Sequence, residues 1–460
     1  MEQITRTLVI EQEHGESGSE QSYHFMLEQR DQETLVLNID SGVWKIDASY
    51  NELIKLAETE GLIVRICTDS KMYQQLTEDK LLDYNADKTE YREFSLLILE
   101  TSERCNMKCK YCFESAGSSG ENMSCETAIR AFKKFIALDN CKTNICVEFN
   151  GGEALLNFDM ISTAVPQILR LAEEDGKKVK FTIQTNGTLL TAEMVAFFEK
   201  YHFSVGVSLD GVGEFNSSRV FADGRNTFDK VLRGINLLKE SDIHYSTISV
   251  IHRKKQYENI KELLAYTGCD QFRANLINTI GRGEEVVTDK TDMKELAEEY
   301  VEFCRQMLQD QKYYEANAIY YFLSLLLCYP FMCYKEPCGA GMNQLFVVPN
   351  GNIYLCQESC FIDKGCIGNV NSEGIDIEKN IKKNEWFQAI QSRRTFLLED
   401  CKDCPWKHFC CSCPCRTYSE TGTVSNKSML CEFNKCVFSE FIWMIHSDTE
   451  AVMNFLQFSF

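Results

Sequence analysis

The sequence predicts an α/β protein built on a partial (β/α)6 TIM-like barrel, with a small α+β module in front and a cysteine-rich region behind. Three observations carry that prediction. From about residue 94 to residue 276, strand-length apolar runs alternate with amphipathic helix-length runs, the mark of a parallel sheet. Polar and glycine-bearing motifs directly follow the strand ends, where sites sit in parallel α/β folds. The cysteines are unevenly spread: only Cys67 lies in the first hundred residues, while 13 of the 23 fall between Cys333 and Cys436.

Residues 1–90 are predicted to form the front module. Thr34–Asn38 and Val43–Ile46 alternate apolar and polar around the turn Ile39–Gly42, a hairpin pattern. Ser49 and Glu52 match a capping box that opens a short helix through Leu53, Ile54, Leu56 and Ala57, stopped by Gly61. Residues 91–310 hold the barrel. Its expected strands are Phe94–Leu99, Asn144–Phe149, Lys178–Thr185, Phe203–Leu209, His244–Val250 and Gln271–Leu276. The expected helices are Cys125–Leu138, Met160–Glu173, Ala192–Tyr201, Thr227–Lys239 and Tyr257–Ala265, followed by Met293–Leu308. Residues 311–460 begin with the apolar run Ile319 to Met332, read as a buried core helix, and continue into cysteine-rich chain with few regular periods. Such a region is expected to depend on metal for its fold.

Composition narrows the function. With 44% hydrophobic residues, 25% charged and 6 Pro in 460, the chain is an ordinary globular one. The net charge of -20, from 68 acidic against 48 basic residues, argues against nucleic acid as a partner. No apolar run is long enough to span a membrane, and the first twenty residues lack a secretory pattern, so a cytoplasmic location is expected. In a reducing compartment, clustered cysteines point to metal rather than disulfides.

The first cluster is Cys105-x3-Cys109-x2-Cys112, placed just after the first barrel strand. Three thiolates on one loop suit a cubane iron–sulfur cluster and leave one iron open for chemistry. A zinc site with a remote fourth ligand is the other reading of that spacing. Cys105–Cys112 with Phe113 resembles the radical S-adenosylmethionine family motif, whose open iron chelates the amino and carboxylate groups of S-adenosylmethionine. Three further elements are similar to that family in order: Gly151-Gly152-Glu153, Thr185-Asn186-Gly187 and Ser208-x-Asp210-Gly211. The resemblance implies that Gly151, Gly152 and Glu153 hold the amino group of S-adenosylmethionine, glycine by close backbone approach and glutamate by pairing with the ammonium. It places Asn186, Ser208 and Arg219 around the same cofactor, with Arg225 a competitor for the role of Arg219.

The second cluster has its own arithmetic. Cys338 is followed by Gly351 and Cys356, and then by Cys401-x2-Cys404-x5-Cys410-x2-Cys413-x17-Cys431. This resembles the SPASM extension of radical enzymes that modify peptides and proteins, with zinc knuckles as the alternative. The resemblance implies two auxiliary 4Fe–4S clusters, making three in all. Cys333, Cys338, Cys356 and either Cys413 or Cys415 fall to one, and Cys401, Cys404, Cys410 and Cys431 to the other. Cys360, Cys366 and Cys436 are spares, and the remaining cysteines read as small core residues.

The reaction implied is radical oxidation of a ribosomally made precursor peptide, with thioether formation from a cysteine sulfur to carbon as the first expectation. Carbon–carbon or carbon–oxygen crosslinking and sulfatase-type maturation follow; a multi-cluster electron-transfer protein is the non-enzymatic alternative. Anaerobic sulfatase-maturing members carry an aspartate beside the cysteine matching Cys356. Here Gln357 stands there, an amide that accepts no proton, with Glu358 next as the candidate catalytic carboxylate. The front module is similar to winged-helix-like leader-recognition domains, which take a leader peptide as an added strand. The implied partners are the precursor peptide with its leader and an electron donor such as flavodoxin or ferredoxin.

Overall fold

A computed structural model of the chain describes residues 4–13, 22–59, 63–67, 70–82, 93–269, 271–286, 292–312, 322–323, 326–327, 338–393, 398–410 and 412–458. The front module is a five-stranded sheet made of β1 (Ile4–Glu13), β2 (Ser22–Arg30), β3 (Glu33–Asn38), β4 (Trp44–Asp47) and β5 (Ile63–Cys67), in the order β4-β3-β2-β1-β5. The expected hairpin is β3–β4. Two strands precede it, and β5 returns parallel to β1 through α1 (Asn51–Thr59). β1 and β2 escaped the sequence reading because charged and amide residues interrupt their apolar alternation. Phe25, Leu27, Val36, Tyr50, Leu53 and Leu76 form the module's own core, the last from α2 (Lys71–Glu78).

The capping box is not where Ser49 and Glu52 placed it. Asp47 is the cap of a single 3-10 turn, Ala48–Tyr50, and accepts from Ser49 N at 2.8 Å; α1 then continues without a break. Aspartate at the end of an extended strand suits a β-region N-cap better than a serine already inside the turn.

The barrel strands are β6 (Phe94–Ser102), β7 (Cys141–Gly151), β8 (Lys178–Thr185), β9 (Ser204–Ser208), β10 (His244–Ile251) and β11 (Phe272–Leu276), six parallel neighbours as expected. Their crossovers are α3 (Cys125–Ile136), α4 (Phe158–Glu174), α5 (Ala192–Lys200), α6 (Phe228–Lys239) and α7 (Gln256–Thr267). Ser124 and Thr191 cap α3 and α5 through their hydroxyls, and Gly268 (φ 64°) ends α7 in the left-handed conformation that glycine adopts without strain. Phe149, Phe181 and Phe203 stack beneath these helices with ring centroids 5.2–6.1 Å apart. Full burial of a phenylalanine contributes about 1.5–3 kcal/mol, so this stack helps lock β7, β8 and β9 in register.

The cysteine-rich region is more regular than its sequence suggests. After α8 (Gly283–Val286) and α9 (Met293–Gln309), the strand β12 (Gln344–Val347) pairs in parallel with β6, and β13 (Asn352–Tyr354) and β14 (Cys366–Asn369) follow antiparallel. Among the described residues the barrel sheet therefore has nine strands, its far edge supplied by the C-terminal region. The strands are so short that no periodicity betrays them. Helices α10 (Ile377–Lys383), α11 (Glu385–Ser392), α12 (Pro414–Thr421), α13 (Cys431–Ser447) and α14 (Thr449–Phe458) complete the chain. Of the apolar run Ile319 to Met332, only residues 322–323 and 326–327 are described; Leu323 and Leu326 are buried.

The front module is attached to this C-terminal region. Buried Glu28 accepts from Trp443 Nε1 (2.8 Å), Ser439 Oγ (3.0 Å) and Arg30 Nε (2.9 Å), while Arg30 also grips Glu440 at 2.8 and 3.1 Å. A carboxylate with three donors is a satisfied buried charge, which fixes the module's position on α13.

Candidate active site

The three-cysteine loop leaves β6 and is fastened on every side. Cys105 N donates to Gly117 O at 2.6 Å, Lys108 N to Val220 O at 2.7 Å and Lys110 N to Ser218 O at 2.9 Å. Arg282 donates through Nε to Cys109 O (2.8 Å) and through Nη2 to Ala116 O (3.0 Å). Burial raises all three thiols, Cys105 up to about 12. The guanidiniums of Arg219 and Arg282 oppose that rise at Cys109. Three buried thiols on one rigid loop fit an iron–sulfur cluster, which deprotonates its ligands and neutralises their charge. Among the described residues no three His, Cys, Asp or Glu side chains close on one point as a single metal ion requires. A cube, whose thiolates approach separate corners, asks for a wider set.

The strand-end motifs converge on this loop. Gly151 (φ 132°) and Gly152 lie against the backbone that enters it: a Cβ would sit 2.4 Å from Ser102 O at the first and 2.7 Å from Arg104 O at the second. The glycines are thus required by strand-to-loop contact before any cofactor is considered. Glu153 was expected to meet an ammonium. Both its oxygens accept hydrogen bonds within the chain, from Thr185 Oγ1 (2.6 Å), Asn186 N (2.7 Å) and Leu155 N (3.0 Å), and the residue lines the same cavity as the three cysteines. Burial raises its carboxyl against those bonds. A buried carboxylate takes the nearest donors, and here the β8 turn supplies them.

Asn186 ties that turn to the loop, donating to Asn106 Oδ1 at 2.8 Å with its amide nitrogen 3.8 Å from Cys105 Sγ. Ser208 lines the same cavity. Arg219 rather than Arg225 reaches it: Arg225 is exposed and pairs with Asp223 at 2.7 Å, whereas Arg219 is buried and donates to the Tyr111 hydroxyl at 3.0 Å. Tyr111 in turn donates to Asp210. The Nε of Arg219 is buried with no partner among the described residues, an open donor for an anionic group such as a carboxylate. Tyr111 and Asp210 were missed as partners of Arg219 because nothing local in the sequence links them.

At the other end, Cys401, Cys404 and Cys431 lie close enough to Cys410 to act on its thiol electrostatically. Burial raises Cys410 to about 11, and Cys404, Cys431 and Cys401 add to it. Asn434 donates to Cys410 Sγ at 3.5 Å. Cys415 shares hydrogen bonds with both Cys356 and Cys413, so the two candidates for the fourth ligand stand together beside Cys356. Cys338 packs against the same core; Cys333 and Cys411 lie outside the described residues. Of the spares, Cys360 is near Cys356 but pushed far up by burial and by Glu100, while Cys366 is exposed on β14 and Cys436 lies on α13. Cys269 and Cys304 are core residues as read; Cys125, Cys141 and Cys146 are half-buried.

One cavity of about 680 Å³ joins the two ends. It runs from Cys105, Cys109 and Cys112, past Gly152, Ser208 and Arg219, to Glu358, Cys413 and Arg416. Its wall between the ends is a polar bridge: Gln357 Nε2 donates to Glu114 Oε1 at 2.7 Å, and Asn150 Nδ2 donates to Gln357 Oε1 at 3.2 Å. Arg416 braces the far end by donating to Leu276 O (2.9 Å) and Ile277 O at the tip of β11. Glu114 and Arg416 were not singled out in the sequence, since neither belongs to a spaced motif.

The radical SAM superfamily model matches residues 99–267, and SPASM, an iron–sulfur cluster-binding domain, matches residues 338–405. The cysteine-type anaerobic sulfatase-maturating enzyme of Clostridium perfringens is 26% identical over 337 residues, 69% of this chain and 87% of its own. The serine-type enzyme of Bacteroides thetaiotaomicron is 34% identical over 155 residues, 32% of this chain and 37% of its own. Two solved structures share the fold. Native anSMEcpe with bound AdoMet has a TM-score of 0.64 at 21% identity, covering 77% of this chain and 98% of that one. Streptococcus suis SuiB bound to precursor peptide SuiA has a TM-score of 0.57 at 17% identity, covering 86% and 96%. The chain carries a radical SAM domain, continued by a SPASM domain that completes its barrel sheet.

Proposed function

We propose that this protein is a peptide maturase that forms a thioether between a cysteine sulfur and a carbon of a ribosomally made precursor peptide. The observation that carries this reading is the single cavity that reaches from the three-cysteine loop to Cys413. When bound, the loop's 4Fe–4S cluster and S-adenosylmethionine supply a 5′-deoxyadenosyl radical that removes hydrogen from carbon. This chain's own residues orient the participants: Arg219 Nε offers a donor to the cofactor's carboxylate, Gly151 and Gly152 keep the wall close, and Asn186 holds the turn beside Cys105. Glu358 and Cys413 line the end where a substrate cysteine would be held, with Cys415 linking Cys413 to Cys356 of the expected first auxiliary set. Gln357 is hydrogen-bonded to Glu114 and Asn150 and, as an amide, cannot act as a base, which supports crosslinking over the chemistry of an adjacent carboxylate base.

The N-terminal module supports a peptide substrate. Its sheet ends in two edges, β4 and β5, where an extended leader could add as a strand. SuiB, which shares the fold, has been solved with its precursor peptide.

A second reading is sulfatase-type oxidation of a cysteine or serine side chain, favoured by the relative that matches 87% of its own length. Reconstituted protein incubated with S-adenosylmethionine, a reductant and the two peptide types separates them. Loss of two hydrogens from a precursor peptide, with its cysteine no longer alkylatable after disulfide reduction, is the expected result. Aldehyde formation on a sulfatase peptide, with the precursor unchanged, would establish the second reading instead.

A further inference from the structure

The chain is acidic overall, yet the loop that carries Cys105, Cys109 and Cys112 presents three exposed cations, Arg104, Lys108 and Lys110. They interleave with the cysteines: Arg104 precedes Cys105, and Lys108 and Lys110 flank Cys109. None of the three makes an ion pair among the described residues. Their backbone is held firmly, Lys108 N by Val220 O, Lys110 N by Ser218 O and Arg104 N by Ser102 Oγ, so the side chains project from a rigid base. The acids nearby do not cancel them. Glu103 turns its carboxylate onto Glu121 N at 2.9 Å, and Asp223 is engaged by Arg225 at 2.7 Å. The adjoining strip, Ser118–Asn122, is exposed and carries Glu121 as its acid.

The cations beside the second auxiliary set behave differently. Lys402 pairs with Glu399 at 2.6 Å, Lys435 with Glu432 at 3.1 Å and Lys407 with Asp40 at 4.0 Å. Each is neutralised locally. Positive charge available to a partner is therefore found on the three-cysteine loop and not on that second cluster's rim.

We propose that Arg104, Lys108 and Lys110 form the docking surface for an acidic one-electron carrier protein of the flavodoxin class, which delivers its electron to this loop directly and not through the auxiliary clusters. Unpaired surface cations steer an acidic partner and set its orientation, and they act mainly on the rate of encounter. Here they place the partner within one residue of Cys105 and Cys109. One electron leaves the donor's reduced flavin and arrives at the loop; the donor is oxidised by one electron, its acceptor on the loop is reduced by one, and no bond is made or broken at the interface. The inference rests on the radical reading of the loop.

The test uses the full-length reconstituted protein, a recombinant acidic flavodoxin, and the triple variant Arg104→Glu, Lys108→Glu, Lys110→Glu. Flavodoxin affinity is measured at low and near-physiological salt, and 5′-deoxyadenosine formation is measured with reduced flavodoxin or with dithionite. The triple variant is expected to bind about tenfold or more weakly and to lose the salt dependence. Flavodoxin-driven formation should fall by a similar factor, with dithionite-driven formation unchanged. The double variant Lys402→Glu, Lys435→Glu should match the parent in all arms. Unchanged flavodoxin binding in the triple variant would overturn the proposal, as would loss in the double variant instead. An equal fall with dithionite would also overturn it, because the cations would then belong to the cofactor site. A parent that yields no 5′-deoxyadenosine even with dithionite would sink the radical reading itself, and the binding arm would still judge the surface.

Discussion

Gln357 Nε2 lies 2.7 Å from Glu114 Oε1, a hydrogen bond between residues 243 apart in sequence that joins the two cysteine regions across the cavity wall. Glu114 follows Cys112 by two residues and Gln357 follows Cys356 by one. The bond therefore ties the three-cysteine loop to the segment that follows Cys356.

Gln357→Leu removes that donor and leaves Glu114, whose carboxyl is already raised to about 7 by burial, without it. A buried acceptor stripped of its partner costs about 1–3 kcal/mol. Urea unfolding of the variant should show a loss in that range, and crosslinking should slow. A variant as stable and as active as the parent would mean that the two regions are held by packing alone.

Glu100, buried on β6, is pushed up to about 9, first by burial and then by Glu114 and Glu103. An acid whose folded value is raised holds its proton more tightly when folded, so stability falls as pH rises from the ordinary carboxylate range towards 9. Glu100→Gln keeps the shape and removes the titration. Its thermal midpoint should exceed the parent's at pH 9 and converge on it towards pH 5; parallel curves would show that Glu100 does not titrate in that window.

Gly152→Ala places a Cβ 2.7 Å from Arg104 O, a backbone atom with no room to retreat. The loop entry must shift, and with it Cys105. The parent is expected to hold about twelve irons and the Cys105/Cys109/Cys112→Ala variant about eight, as three four-iron clusters require. Gly152→Ala should fall towards the lower figure. About four irons in the parent, with zinc bound, would remove the auxiliary clusters from the mechanism.

Arg30→Ala takes one of three donors from buried Glu28 and leaves Glu440 with its ion pair to Arg305 at 3.6 Å. The expected cost is about 2 kcal/mol, below the roughly 3–5 kcal/mol of a fully buried pair because the Arg30 side chain is partly exposed. Because the pair fastens the front module to α13, limited proteolysis should release residues 1–90 earlier than in the parent. Equal protease resistance would show that the remaining contacts suffice for attachment, among them Trp443 and Ser439 on Glu28 and Trp44 Nε1, which donates to Leu326 O at 2.8 Å.

The barrel was legible in the chain because its strands are short apolar or alternating runs separated by five helix-length crossovers, and local hydrophobic periodicity is what a single sequence displays best. The cysteine spacings are displayed by the chain itself, because covalent spacing limits which thiolates share one loop, whereas Gly151–Glu153 and Arg219 were singled out by resemblance to the radical SAM family. Tertiary structure decided what depends on distant partners. It turned Glu153 towards Thr185 and Asn186, chose Arg219 over Arg225, and brought Cys413 and Cys415 together beside Cys356. It also drew β12 onto β6 and Glu28 onto Trp443. Hydrogen bonds and buried charges are satisfied by whichever groups the fold brings within about 3 Å, and sequence separation holds no record of that distance.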